Sequence, residues 1–230
     1  MALRGGPVLD AFCGIGGASE GYRQGGWESV VGVDNRDMSV DYEQPFHRTF
    51  VLGDAIEYIR DRGRAFEIIH ASYPCQTNCT LSKGTNRYLD KNHPDLYTAT
   101  KAALESTGRP YIMENVGGEI RRDVTLCGEM FRSPGELGVQ RHRHFELGGG
   151  LKCAQPPHPR HLGPVRGRNH GKWNEGVYLP IYGTGGGKGT TKEWQRAMGI
   201  GWTDNRAGIA QAIPPAYTWW LTMNVEYVGR

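Results

Sequence analysis

The stretch "HASYPCQTNC", residues 70–79, places a cysteine directly after a proline at the exit of a run rich in β-branched residues. Pro74 limits the conformations on either side of it and would present the Cys75 thiol at a defined angle. Four chemistries are open to such a cysteine: packing, metal ligation, half of a disulfide, or nucleophilic attack. A free thiol has a pKa of about 8.5, so a nucleophilic role requires nearby positive charge or a helix N-terminus. Glu114, in "MENVGG", ends another strand-like run beside Asn115. In a crevice, desolvation would raise its pKa and let it hold or deliver a proton. Arg141 and Arg143, in "QRHRHF", are two residues apart. In a strand both would share a face, where they could serve a thiolate, a carboxylate or a phosphate.

A second group of residues suits a nucleotide-like ligand. "DAFCGIGG", residues 10–17, follows the first apolar run and precedes the first helical one. In an open α/β sheet that position faces the ligand crevice, and Gly14, Gly16 and Gly17 would let the backbone approach a ligand closely. Asp34 closes the second strand-like run, where an acid would accept hydrogen bonds from ribose hydroxyls. Asp54, in "GDA", closes the third and could reach an exocyclic amine. One acid per strand end suggests an adenosine-containing cofactor without a pyrophosphate.

The elements that must hold these residues are legible along the first half of the chain. "GPVLDAF", "ESVVGVD", "FVLGDAIEYI", "AFEIIHASYP" and "RPYIMENVGG" each contain a strand. Between them "ASEGYRQGGW" and "PDLYTATKAALESTG" have helical spacing closed by glycine. Strands alternating with helices predict an α/β fold, a parallel sheet covered on both faces. Residues 148–193 hold twelve glycines and no sustained period, and read as a small loop-rich module. Helical pattern returns at "EWQRAMGI", and Pro214 and Pro215 are placed to start a last helix containing Trp219 and Trp220.

The 230-residue chain is long enough for one sizeable domain, and no apolar stretch approaches the ~20 residues of a membrane span. The N-terminal apolar run is too short for a signal peptide, so a cytoplasmic protein is expected. Five cysteines, an odd number scattered along the chain, favour free thiols. The net charge is only +3, yet between Gly138 and Lys192 nine Lys/Arg face two acids, and five of the eight histidines fall there. Such a stripe is either a solvated basic face or a footprint for a polyanion such as nucleic acid. Cys153, His158, His161 and His170 could be assembled into a zinc site. Their spacing fits no standard pattern, so no metal is expected.

In their order and spacing, "DAFCGIGG", "GVD", "GDA", "YPCQ", "ENV", "RHRHF" and "AQAIPP" resemble the motifs of the cytosine-C5 methyltransferases, over about residues 8–147 and 194–222. The resemblance implies a Rossmann-like, twisted and mainly parallel sheet binding S-adenosylmethionine. It implies a cofactor pocket formed by Phe12, Gly14, Ile15, Gly16, Gly17, Asp34, Asp54, Ala55 and Leu96. It further implies that Cys75 attacks carbon 6 of cytosine, Glu114 protonates or hydrogen-bonds N3, Arg143 contacts the base carbonyl, and Arg141 and Asn115 position their neighbours. The catalytic domain would comprise residues 1–147 and 194–230, with 148–193 as a small target-recognition module. The expected partner is double-stranded DNA with the target base flipped out, read by a monomer that associates with the nucleoid through DNA. Gln76, Lys83, Arg87, Arg160, Arg166, Arg168 and Lys172 would contact the nucleic acid, the arginines and lysines through phosphates.

The chain departs from the family pattern at three places. Tyr73 stands where small or apolar residues are usual, Gln211 stands where asparagine is usual, and residues 148–193 are far shorter than a typical recognition domain. A short or degenerate recognition sequence is therefore expected. A tRNA, a free pyrimidine nucleotide, or no reaction at all (a silent nucleic-acid-binding module) are the alternatives.

Overall fold

The computed structural model describes residues 5–43, 49–74, 96–169, 171–183 and 188–229; of Glu43, Arg168 and Asn169 it describes the backbone alone. Seven strands form one sheet: β1 (Val8–Ala11), β2 (Val30–Asp34), β3 (Thr49–Leu52), β4 (Ile68–Ala71), β5 (Tyr111–Asn115), β6 (Val124–Leu126) and β7 (Arg143–Gly148). Their spatial order is β3-β2-β1-β4-β5-β7-β6. The first five run parallel, while β7 is antiparallel to both β5 and β6. All five expected strands are present, and the sheet is the α/β, mainly parallel one that the sequence predicted.

Residue alternation in β1 divides the two faces. Val8 joins a cluster with Ala18, Tyr22, Tyr217 and Leu221, under α1 (Gly17–Gln24) and α7 (Pro215–Asn224). Leu9 and Ala11 join the opposite cluster with Ile56, Ile59, Ala103 and Leu104, under α3 (Ala55–Arg62) and α4 (Leu96–Thr107). A short α2 (Ser39–Glu43) precedes β3. Pro215 occupies the first turn of α7, where its missing N–H costs no helical bond. Trp220 is partly buried against the first cluster, and Trp219 is exposed.

A third cluster joins the sheet edge to the later chain. Ile15, Leu179, Ile181, Trp194, Met198 and Ile209 pack together, bringing in α5 (Thr191–Met198) and α6 (Arg206–Gln211). Residues 148–193 contribute β8 (Leu151–Lys152), which pairs with β11 (Glu226–Tyr227), and the hairpin β9 (Gly167–Asn169) with β10 (Lys172–Asn174). Leu179 and Ile181 anchor this segment in the third cluster, so it shares a core with the elements around it. Among the described residues, no helix is long and apolar enough to cross a membrane.

Candidate active site

In a parallel sheet all carboxyl ends lie along one edge, and ligands bind in the crevice outside it. Here the ends of β1, β2, β4 and β5 share that edge. Because β7 runs the other way, its first residue, Arg143, arrives there too: Asn115 pairs with His144, and Glu114 with Phe145.

Glu114 and Arg143 form the centre of the site. Oε1 of Glu114 lies 2.8 Å from Nε of Arg143, and both side chains are at most one-tenth exposed. Burial pushes the Glu114 carboxyl above its usual range, while Arg143, Arg141 and the hydroxyl of Ser72, which hydrogen-bonds it, pull the other way. Burial outweighs them, and the carboxyl lies above its ordinary range.

Behind Ser72 stands a buried chain of polar groups that sequence reasoning did not single out. Ser72 Oγ is 2.8 Å from His70 Nε2, and His70 Nδ1 is 3.1 Å from the Tyr22 hydroxyl. Desolvation lowers the His70 pKa to about 3, so the ring stays neutral, and burial keeps Tyr22 protonated. One arrangement of protons then satisfies every member. Tyr22 donates to Nδ1, Nε2–H donates to Ser72, and Ser72 donates to Glu114. The signal in the sequence is the i, i+2 pair in "HAS", two hydrogen-bonding side chains on one face of a strand.

Asn115 has a positioning role. Its side-chain amide donates to the carbonyl of Tyr73 at 2.9 Å, tying β5 to the chain leaving β4. Tyr73 itself is buried, its ring centroid 6.0 Å from that of Tyr97, in the cluster beneath α4. The unexpected tyrosine is thus a packing residue that, with Asn115, fixes the direction in which Pro74 leaves the sheet. Cys75, Gln76, Lys83 and Arg87 lie outside the described residues, as do Cys79 and His170.

Arg141 departs from the expected arrangement. It precedes β7, so the two-residue strand spacing does not apply to it. Its guanidinium donates to the carbonyls of Ile181 and Ala210, and its own carbonyl accepts from the Tyr217 hydroxyl at 2.6 Å. It ties β7 to residues 176–183 and to α6.

The glycine turn is built by β1 and α1. Asp10 accepts from the backbone and side chain of Ser19, closing the loop between them. Gly16 caps α1 with φ at +81°, a left-handed conformation that favours glycine. At Gly14 (φ +51°) a Cβ would meet no atom within 4 Å, so the backbone is open there. Gly17 has a packing role besides the expected one. A Cβ on it would lie 2.2 Å from the carbonyl oxygen of Ile213, so this glycine lets α1 approach the chain entering α7. The side chain of Ile15 is likewise spent on the third cluster, and its carbonyl accepts from the Trp202 indole.

Asp34 is buried at the end of β2 and accepts from the amides of Gly14 and Arg36, both at 3.0 Å. Each carboxylate oxygen keeps a further lone pair. Asp54 caps α3, one oxygen accepting from the amides of Ile56 and Glu57, and Ala55 is buried behind it. Phe12 and Leu96 are both partly buried against the second cluster. Gln211 accepts from Arg36 at 3.3 Å, which places it near Asp34. An open backbone at Gly14, a carboxylate with free lone pairs and two half-buried apolar side chains fit an adenosine-bearing cofactor.

The profile of the C-5 cytosine-specific DNA methylases matches residues 7–128. The chain belongs to that family. The match includes Asp34, Asp54, Cys75 and Glu114 and ends before Arg143. Its members take their methyl group from S-adenosylmethionine. The type II methyltransferase M.AgeI of Thalassovita gelatinovora is 26% identical in an alignment 188 residues long that covers 69% of this chain and 43% of that relative. The chain thus spans less than half the length of that protein. The solved structure of a DNMT2 mutant from Spodoptera frugiperda shares the fold with a TM-score of 0.56 at 13% identity, over 95% of this chain and 99% of that one.

In residues 148–193, Arg160 and Lys172 are exposed. Arg166 is less free than expected, its guanidinium 3.4 Å from Glu193. The side chain of Arg168 lies outside the described residues.

Proposed function

We propose that this protein methylates carbon 5 of cytosine in DNA, with Cys75 as nucleophile and Glu114 as the group that holds a proton at N3. The observation that carries this reading is the buried Glu114–Arg143 pair, one strand away from the Tyr73–Pro74 exit that leads to Cys75. Carbon 5 of cytosine is a poor nucleophile. Addition of the Cys75 thiolate to carbon 6 turns the ring into an enamine, provided that the charge arriving at N3 and the carbonyl is met. Glu114, whose burial favours the protonated form, meets it at N3, and Arg143 meets it at the carbonyl oxygen. S-adenosylmethionine, when bound, supplies the electrophilic methyl group. Loss of the carbon 5 proton and elimination of Cys75 then restore the aromatic ring.

A duplex hides carbon 6, so the base must be flipped out or already unpaired. In this reading residues 148–193 form the target-recognition module, and residues 1–147 with 194–230 form the catalytic body. Arg160 and Lys172 contact phosphates. The module is short, so few base edges are read and the recognition sequence is short or degenerate.

Tritium transfer from labelled cofactor to DNA, tRNA and dCMP side by side tests the proposal. Label is expected in DNA, recovered as 5-methylcytosine, and none with Cys75→Ser. Label confined to tRNA or dCMP would overturn the substrate, and label that survives Cys75→Ser would overturn the mechanism. Cofactor binding without transfer to any of the three would favour a silent module. Bisulfite sequencing of treated plasmid should show a site shorter than six base pairs.

A further inference from the structure

Four side chains converge at a place the reaction does not use. Cys127 follows β6, His142 immediately precedes β7, and His158 and His161 lie in the loop after β8. One potential ligand atom from each lies within 4.8 Å of all the others. The Cys127 sulfur is 3.3 Å from Nε2 of His161. The ring centroids of His158 and His161 are 4.9 Å apart, and those of His142 and His158 are 5.5 Å apart with nearly parallel planes. In tetrahedral zinc the bonds to nitrogen and sulfur, about 2.1 and 2.3 Å, put neighbouring ligand atoms roughly 3.3–3.8 Å apart. The cluster needs only a slight contraction to reach that spacing.

We propose that Cys127, His142, His158 and His161 bind a structural zinc ion. One thiolate and three imidazoles suit a borderline-soft ion, and four protein ligands leave no open position, as in structural rather than catalytic zinc sites. The surroundings are built for it. Tyr178 packs edge-on against His161 at 5.6 Å, and its hydroxyl accepts from the amide of Leu162 and donates to buried Glu129. Pro157 and Pro159 flank His158 and restrict the loop that presents both histidines. Cys127 is buried while His142 and His158 reach solvent, so an ion has a way in.

The position of the ion explains its use. His142 stands between Arg141 and Arg143, and the two loop histidines belong to residues 148–193. Zinc would therefore clasp this loop-rich segment to the strand that carries Arg143. The expectation of no metal rested on the spacing of Cys153, His158, His161 and His170; two of those four belong to the ligand set, Cys153 instead packs against the first core cluster, and His170 lies outside the described residues.

The test does not depend on activity, so it stands or falls separately from the methylation reading. Protein purified without a metal-affinity tag or chelator should contain about one zinc per chain by elemental mass spectrometry. Cobalt-substituted protein should show the visible bands of a tetrahedral site and a thiolate-to-cobalt band in the near ultraviolet. Cys127→Ser should remove the thiolate band. His158→Ala, at an exposed ligand where little packing is lost, should lower the metal content and abolish the fall in melting temperature that a chelator causes in the parent protein. Substoichiometric zinc from zinc-supplemented cells, together with no tetrahedral cobalt spectrum, would overturn the site. Stoichiometric copper with an intense visible thiolate band would overturn the choice of metal, and a thiolate band that survives Cys127→Ser would overturn the ligand set.

Discussion

Along the carboxyl edge of the sheet, polar side chains are held by the strand ladders themselves. Glu114 and Arg143 meet because β5 and β7 are paired in one register, and His70 and Ser72 meet because they are two apart at the end of β4. Between β7 and α5 ladders are few and short. There the chain is fixed by side chains reaching across loops: Arg141 to Ile181 and Ala210, Tyr178 to Glu129, and the cysteine and histidines around Cys127. The first region should keep its geometry when a single side chain is trimmed. The second depends on each of its clasps.

The strongest way to break this contrast is Glu114→Gln. If the edge is rigid and Glu114 acts through its proton, the variant should lose roughly 1,000-fold in kcat, about 4 kcal/mol on the barrier, while its melting temperature stays at or above the parent value. Removing a buried carboxyl whose pKa is raised also removes a penalty that grows as pH rises, so the variant should gain relative stability at higher pH. An equal drop in stability and activity would mean that Glu114 is structural.

Gly17→Ala tests the rigidity of the same edge from behind. The added methyl would meet the Ile213 carbonyl oxygen and the Ala212 methyl, both on the chain entering α7. A cost of about 3 kcal/mol in urea unfolding is expected. A neutral substitution would show that α1 and α7 can separate freely.

His70 gives the edge a pH signature. Its folded pKa is depressed to about 3 from an ordinary value near 6.5. The unfolded chain therefore binds the extra proton first, and stability is full above 6.5 and lost as pH falls toward 3. Unfolding at pH 5 against pH 7 should show about 2 kcal/mol of this loss, absent in His70→Gln. The same loss in both proteins would locate the pH dependence elsewhere.

The parts of the molecule that were legible in the sequence are those whose pattern is local. The five parallel strands show as β-branched runs between glycine turns; Asp34 ends β2, Glu114 is the last residue but one of β5, and Arg143 opens the antiparallel β7. Gly17 has a packing role that the sequence did not show, because a glycine after a strand looks the same whether a ligand or another helix approaches it. Arg141 was misread because the strand begins two residues later than the motif. Of the cluster around Cys127, His158 and His161 were singled out but Cys127 and His142 were not, because the members come from the ends of two strands and a loop. Only the fold brings them together, and the nearer Cys153 was a plausible decoy.

Asp54 can sharpen the contrast at the smallest scale, against the cap of α5. Asp54 spends one oxygen on two amides of α3, and Thr190 makes a capping box with Glu193 at α5. Asp54→Ala and Thr190→Ala should each cost about 1 kcal/mol. Asp54→Asn should keep the cap, since asparagine caps as well as aspartate, while removing the negative charge from the edge of the crevice. If the second oxygen of Asp54 serves the cofactor, Asp54→Asn should weaken S-adenosylmethionine binding in calorimetry with its melting temperature unchanged. Thr190→Ala should do the reverse, losing stability and keeping affinity. Unchanged affinity in Asp54→Asn would leave Asp54 as a helix cap alone, and the acid contact with the cofactor would fall to Asp34.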